Sequence, residues 1–243
     1  MARILIFGDS IVFGNWDEQG GWADRLKSFY MKEGLNNSDY YYMVYNVGVS
    51  GDTSCELLER FEYEVKHRLW EREETGEKEE IIIILSMGKN DAAFVKSKNS
   101  FNTSINDFTI NIKQLLIIAK KYSAKIIFVG PAFIDETKTI PTKWDPNIEY
   151  SNKDIKKYNE VIKFVCEENK IHFINMYEEF EKIDYKKFLE DGVHPNSAGH
   201  KKIFEIVRDY LVKKDIVEKN KRLQDVNNKV KMKYTKDPEL NSG

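Results

Sequence analysis

Residues 2–14 read ARILIFGDSIVFG, and this stretch determines how the rest of the chain is interpreted. The apolar run at residues 4–7 is short and leads directly into Gly-Asp-Ser at 8–10, a pattern typical of a buried strand that ends in a tight turn. Similar short runs follow at residues 43–47, 81–85, 125–129 and 171–175. The sequence therefore predicts five strands.

Segments with a helical period separate these runs. We predict helices at residues 22–33, 54–69, 101–122, 154–169 and 197–213. In the third, apolar side chains recur at steps of four and three, forming a stripe that includes Phe101, Ile105 and Phe108. Because helices alternate with strands that are apolar throughout, we expect an α/β fold in which helices cover both faces of a parallel sheet.

The composition narrows the class of protein. Hydrophobic residues make up 41% of the chain and charged residues 32%, which is typical of a globular protein. The formal net charge of -2 gives no basic field that would attract nucleic acid. Cys55 and Cys166 have no CxxC spacing, and no metal-ligand pattern emerges. The run at 4–7 is too short for a signal peptide, so we expect a cytoplasmic protein.

Three segments stand apart from this pattern. Residues 131–153 form a long connection without a clear period, containing Trp144 and Tyr150. We interpret it as a substrate-side loop or lid, with a plain surface excursion as the alternative. Residues 71–80 are charged and are predicted to be a solvated linker. We place a domain at 1–213 and a charged extension at 214–243. In that extension Ile216, Leu223, Val226 and Val230 fit a short heptad seam, so an added helix, a homodimer contact and a frayed tail all stay open.

Two polar motifs could supply nucleophilic catalysis. Ser10 directly follows the first strand, where its hydroxyl would face the ligand crevice of such a sheet. Asp191 lies three residues before His194 in the motif DGVHP, so the carboxylate could orient the imidazole from the same loop. Each motif alone also fits a capped turn or a surface histidine. Together they contain a nucleophile, a base and an orienting acid.

Two further motifs follow strands. NVGVSGDT at 46–53 and GKND at 88–91 each combine a glycine with polar neighbours. A glycine amide near Gly51 and the side chain of Asn90 could donate hydrogen bonds to an oxyanion. The glycines could equally serve only to provide positive φ at strand ends.

With these four blocks in chain order, the sequence resembles the GDSL, or SGNH, hydrolase family over about residues 4–210. The resemblance implies a flavodoxin-like, three-layer α/β/α sandwich with a five-stranded parallel sheet. It implies that Ser10 is the nucleophile, with Asp191 and His194 completing a triad. It also implies an oxyanion hole formed by Ser10, Gly51 and Asn90. The first block reads GDSI instead of GDSL, and Lys89 occupies a position that the family leaves variable.

The sequence therefore favours a serine esterase or acylhydrolase that acts on a small-molecule ester through an acyl-enzyme, without a cofactor or metal. Acyl transfer from the same site and a non-catalytic binding module on the same fold are the alternatives. We assign Trp144 and Tyr150 to substrate binding. His200 is expected to support the last helix and Trp22 to pack. No stable membrane association is expected, because no amphipathic basic stretch is present.

Overall fold

The computed structural model describes residues 2–36, 42–72 and 76–217. Its strands are, in chain order, β1 (Ala2–Gly8), β2 (Tyr42–Gly48), β3 (Glu71–Arg72), β4 (Glu77–Lys78), β5 (Glu80–Ser86), β6 (Phe94–Val95), β7 (Ser100–Phe101), β8 (Lys125–Val129), β9 (Ile148–Glu149) and β10 (His172–Ile174). Its α-helices are α1 (Ser10–Phe13), α2 (Gly21–Asn36), α3 (Ser54–Lys66), α4 (Ile105–Tyr122), α5 (Glu136–Thr139), α6 (Asn152–Asn169), α7 (Met176–Glu181) and α8 (Ser197–Lys213).

Five of these strands form one parallel sheet in the order β10-β8-β5-β1-β2. Counted along the chain, this is the flavodoxin-like order of doubly wound sheets. The predicted α/β class and the five-stranded parallel sheet are confirmed. Two small antiparallel sheets lie outside it, β3 with β4 and β6 between β7 and β9.

Strand β1, which lies between β5 and β2, sends its side chains into two separate cores. Leu5 and Phe7 pack with α3, α4 and α6 on one face of the sheet. Ile4 and Ile6 pack with α2, α7 and α8 on the other face. Because helices cover both faces, all four side chains are fully buried, which explains why this strand is apolar without alternation. The result is the three-layer α/β/α sandwich.

The carboxyl ends of the strands are level with one another. Gly8 pairs in register with Gly48 of β2 and with Ser86 of β5, and Ser86 pairs with Val129 of β8. The loops that follow these residues therefore begin at one edge of the sheet. The strand order reverses between β1 and β5, because β2 is added on one side of β1 while β5, β8 and β10 are added on the other. Doubly wound sheets open a ligand crevice at such a point.

The predicted helix at 101–122 is wrong at its N-terminus. Phe101 belongs to β7, which pairs with β6, and α4 begins only at Ile105. The hydroxyl of Ser104 accepts a hydrogen bond from the amide of Asp107, and this N-cap fixes the start of the helix. Ile105 is 37% exposed and lies off the buried stripe, whereas Phe108 and the apolar residues that follow it in the stripe are buried.

Two other segments carry more structure than expected. The predicted linker at 71–80 contains the antiparallel pair β3 and β4, and α3 ends at Lys66. The long connection at 131–153 contains α5 and β9. Two-residue strands and a four-residue helix are too short to leave a periodic signal in a sequence.

The described chain continues four residues past α8. Ile216 and Val217 are buried and belong to the core that contains α2 and α8. Leu223, Val226 and Val230 of the predicted heptad seam lie outside the described residues, so the 214–243 extension stays a prediction. In the part of the chain that the structure describes, no helix combines the length and the apolar character needed to cross a membrane.

Candidate active site

Ser10 is positioned by a tight turn at the end of β1. It opens the short helix α1, whose N-cap Asp9 accepts a hydrogen bond from the amide of Ile11 at 2.9 Å. Gly14 ends this helix in the left-handed region at a φ of 99°, and its amide donates to the carbonyl of Ser10 at 3.0 Å. As the first residue of a helix, Ser10 has a backbone N–H without an intrahelical acceptor.

Ser10, His194 and Asp191 form a continuous chain of hydrogen bonds. Ser10 Oγ lies 2.9 Å from His194 Nε2, and His194 Nδ1 lies 2.7 Å from Asp191 Oδ2. A carboxylate only accepts, so Nδ1 carries the proton and Nε2 is free to accept from the serine hydroxyl. The structure thus brings His194 and Asp191 to Ser10, although His194 lies 184 residues later in the chain.

The Asp191 carboxylate receives four hydrogen bonds. Its Oδ1 accepts from the amides of Val193 at 2.9 Å and His194 at 2.8 Å. Its Oδ2 accepts from His194 and, at 3.0 Å, from the indole Nε1 of Trp16. Burial would raise the pKa of Asp191, but the hydrogen bonds from His194 and Val193 outweigh burial and hold this pKa well below its usual value. The group is a carboxylate at neutral pH.

The loops after β2 and β5 carry Gly51 and Asn90. Gly51 has a φ of 92°, and a β-carbon placed there would meet no atom within 4 Å, so this backbone borders open space. Asn90 Nδ2 donates to the carbonyl of Asp52 at 2.9 Å. Asn90 Oδ1 accepts from the hydroxyl of Tyr150 at 3.3 Å. Bonded at both atoms, the amide has its orientation fixed, and Nδ2 retains a second proton for another acceptor.

Arg60 of α3 ties these loops to the sheet, and sequence reasoning missed it. Its Nε donates to Asp52 Oδ2 at 2.7 Å, while its terminal nitrogens donate to the carbonyls of Val47 at 3.0 Å and Gly8 at 3.2 Å. One side chain therefore joins the ends of β1 and β2 to the loop that contains Gly51. No sequence signal distinguishes it from the other charged residues of α3.

Asp91 makes a second connection between the two loops. Its Oδ1 accepts from both the amide and the hydroxyl of Ser54, the first residue of α3, at 2.9 and 2.6 Å. Asn111 of α4 donates to the same hydroxyl at 2.9 Å. Burial raises the pKa of Asp91 to about 6, although the hydrogen bonds from Ser54 oppose that shift.

The segment 131–153 lies beside the site. The ring of Trp144 lies 5.9 Å from that of His194 between centroids, and its side chain is 48% exposed. Tyr150 is 6% exposed, and its hydroxyl bonds to Asn90, so it stands behind that amide. The amide of Asp135 donates to the carbonyl of Gly192 at 2.8 Å, which joins this segment to the DGVHP loop. The assignment of Trp144 and Tyr150 to substrate binding stays a prediction.

His200 has a structural environment. Its Nε2 lies 2.9 Å from the carbonyl of Asn15, and its Nδ1 accepts from the amide of Trp22 at 3.3 Å. Burial lowers the pKa of His200 despite the opposing contact with Asn15, so the ring is neutral with its proton on Nε2. His200 thus joins α8 to α2 and to the loop after α1. Trp22 is fully buried, in agreement with its predicted role in packing.

Trp16 is a further neighbour of the site that the sequence did not indicate. Its backbone has a φ of 66°, in the left-handed region that tryptophan rarely adopts, and its side chain is 61% exposed.

Across residues 2–36, 42–72 and 76–217, no group of three or more His, Cys, Asp or Glu side chains is arranged to hold a metal ion.

A serine, an imidazole and a carboxylate joined in series at the carboxyl edge of a parallel sheet are the arrangement of a serine hydrolase. Residues 6–202 match the model of the GDSL-like lipase/acylhydrolase family. Since the match covers most of the chain, the protein belongs to this family of ester-cleaving hydrolases.

Individual relatives share only low sequence identity with this chain. The chain is 24% identical over 221 residues to the isoamyl acetate-hydrolyzing esterase of Saccharomyces cerevisiae, covering 87% of this chain and 84% of the yeast protein. It is 27% identical over 248 residues to a multidomain esterase of Ruminococcus flavefaciens, covering 88% of this chain. The chain spans only 29% of the length of that second relative.

Solved structures share the fold. A lipase/acylhydrolase from Enterococcus faecalis superposes with a TM-score of 0.66 at 24% identity, covering 87% of this chain and 95% of that one. An acetylxylan esterase from Geobacillus stearothermophilus gives a TM-score of 0.63 at 19% identity, covering 89% of this chain and 94% of that one. At these identities the likeness supports the architecture and not a substrate.

Proposed function

We propose that this protein is a serine esterase that cleaves a carboxylic ester in two steps through an acyl-enzyme. The observation that carries the proposal is the uninterrupted chain of hydrogen bonds from Ser10 Oγ through His194 to Asp191. A serine hydroxyl is a weak nucleophile unless an adjacent base accepts its proton, and His194 Nε2 is placed to do so.

In the first step Ser10 Oγ bonds to the ester carbonyl carbon while His194 Nε2 takes the hydroxyl proton. Asp191 stays ionised and stabilises the imidazolium that forms. The carbonyl oxygen, now an anion, would accept hydrogen bonds from the amides of Ser10 and Gly51 and from Asn90 Nδ2. When the carbon–oxygen bond of the ester breaks, the alcohol leaves with the proton from His194.

In the second step water attacks the acyl-enzyme. His194 takes a proton from the water, the tetrahedral intermediate collapses, and Ser10 leaves with that proton while the carboxylic acid is released.

Trp16 and Trp144, both exposed beside the Asp191–His194 pair, would line the entrance to the site. A cytoplasmic location and the absence of nucleic-acid partners belong to the same proposal.

Steady-state hydrolysis of short 4-nitrophenyl esters tests the oxyanion assignment. Loss of one oxyanion donor typically lowers turnover by about 100- to 1,000-fold, so we expect that loss for Asn90→Ala with the fold retained. Asn102→Ala is the matched control, because the side chain of Asn102 donates only to the backbone carbonyl of Asn90 among the contacts described. Full activity in Asn90→Ala would show that the oxyanion assignment is wrong.

Product analysis in the presence of an added alcohol separates hydrolysis from acyl transfer. Free acid as the dominant product supports the esterase. An ester of the added alcohol as the dominant product would instead identify a transferase that uses the same site.

A further inference from the structure

Lys89 is the most deeply buried lysine or arginine among the described residues, and the proposed reaction gives it no part. It lies between the glycine and the asparagine of the GKND motif and is only 2% exposed. A buried ammonium costs several kcal/mol unless it is compensated, so its presence calls for a physical reason.

The surroundings of Lys89 leave it little room for water. The adjoining cavity has a volume of about 20 Å³, close to the space of a single water molecule. Most of the other side chains that line it are apolar, among them Trp22, Val129, Phe180 and Ile203. The ammonium therefore cannot keep a hydration shell and depends on protein groups.

Its hydrogen-bond partner is in the DGVHP loop. Lys89 Nζ donates to the backbone carbonyl of Val193 at 3.0 Å, across 104 residues of sequence. Val193 lies between Asp191 and His194 in the chain, and its amide donates to Asp191 Oδ1. The side chain thus joins the loop of Asn90 to the loop that carries the acid and the base.

The titratable groups that act on this ammonium are Asp9, which directly precedes Ser10, and Asp191. Burial lowers the pKa of Lys89 to about 8, and these two carboxylates oppose that shift. Below that pH the bond to Val193 is charge-assisted, and such bonds are roughly twice as strong as neutral ones.

We propose that Lys89 is a positioning residue, whose buried ammonium holds the 191–194 loop through the Val193 carbonyl and thereby keeps His194 aligned with Ser10. The proposal rests on the esterase function proposed above. Loss of the charge on Lys89 would weaken this link, and a displacement of catalytic groups by about 1 Å can cost about 100-fold in rate.

The test measures the rate at which a fluorophosphonate labels Ser10 between pH 6 and 9.5, in the wild type and in Lys89→Met. We expect the wild-type rate to fall at least about 5-fold between pH 7 and 9, following the deprotonation of Lys89. Lys89→Met should label about 10- to 100-fold more slowly at pH 7 and show no such fall. Lys138→Met is the matched control, since Lys138 donates to the carbonyl of Glu190 at 3.2 Å from a more exposed position.

A wild-type labelling rate that stays constant or rises from pH 7 to 9 would overturn the proposal. The same conclusion would follow if the labelling rate of Lys89→Met depended on pH in the same way as that of the wild type. Hydrogen exchange of the peptide 189–196 gives a readout independent of catalysis. We expect faster exchange in Lys89→Met than in the wild type, and equal exchange would overturn the positioning role. Absence of labelling in every variant would contradict the esterase, while the exchange data still decide on Lys89.

Discussion

At the scale of single residues, the site depends on groups that fix the orientation of other groups. Tyr150 is the clearest case, because its hydroxyl bonds to Asn90 Oδ1 and so directs Nδ2 away from Tyr150. The carbonyl of Asp52 holds Nδ2 from another side. If the amide of Asn90 were turned the other way, its Oδ1 would face the oxyanion. The two oxygens would then repel each other.

Tyr150→Phe should therefore lower kcat. We expect a loss on the order of 10-fold, smaller than that for removal of the donor itself, since Asp52 still restrains the amide. Steady-state kinetics on a 4-nitrophenyl ester measures the effect. Tyr158→Phe is the control, because it removes another buried hydroxyl, bonded to the carbonyl of Thr103. Equal kinetics for both variants would remove Tyr150 from the positioning of Asn90.

Sequence reasoning found the residues whose chemistry is carried in local motifs. Ser10, Asp191 and His194 were recognised because each lies in a short block whose letters suggest a role, and the structure brings them within hydrogen-bond distance. Trp16 and Lys89 could not be recognised in this way. Their partners lie 175 and 104 residues away, and only the folded chain brings those atoms together.

At the scale of elements, the site is assembled by the ends of helices and strands. The N-terminus of α3 is held to the loop after β5 by Asp91, whose carboxylate accepts both hydrogen bonds from Ser54. Apolar runs predicted the strands well, because both faces of the sheet are buried. The start of α4 was missed because an apolar residue at helical spacing, Phe101, instead pairs in the short strand β7.

The raised pKa of Asp91 predicts a pH effect on stability. Folding raises the pKa of Asp91 to about 6. The protonated acid therefore stabilises the native state at pH values below the pKa of the unfolded chain, and this stabilisation is lost as the pH rises through 6. The loss is at most about 3 kcal/mol. Asp91→Asn retains an acceptor for Ser54 but has no titrating group there, so it should not show this pH-dependent loss of stability.

Urea unfolding at pH 4, 5, 6 and 7 measures this difference. We expect the free energy of unfolding of Asp91→Asn to rise relative to the wild type between pH 4 and 7. Asp209→Asn, which changes an exposed carboxylate on α8, should follow the wild type. Parallel curves for Asp91→Asn and the wild type would show that burial does not shift this group.

At the scale of the whole molecule, the limit of the folded unit is set by burial. The sequence places the domain end at residue 213, where the helical pattern stops. Ile216 and Val217 lie beyond that point and are 4% and 6% exposed, in the same core as α2 and α8. Two apolar residues among charged ones give too weak a pattern to be recognised as core from the sequence.

A chain shortened to residues 1–217 keeps Ile216 and Val217 and is the reference for a further shortening. Shortening to 1–213 removes the burial of both Ile216 and Val217, which we expect to cost roughly 3–5 kcal/mol of unfolding free energy. Thermal unfolding of the two shortened chains and the full chain measures this. Equal melting temperatures for 1–213 and 1–217 would show that the two residues contribute little.

The most direct test of the proposed function is intact-mass analysis after treatment with a fluorophosphonate at pH 7. We expect the wild type to gain the mass of one adduct and Ser10→Ala to gain none, with both proteins folded by circular dichroism. That result would establish an activated serine at position 10. An unmodified wild type, or an adduct that persists in Ser10→Ala, would contradict the assignment of Ser10 as the nucleophile.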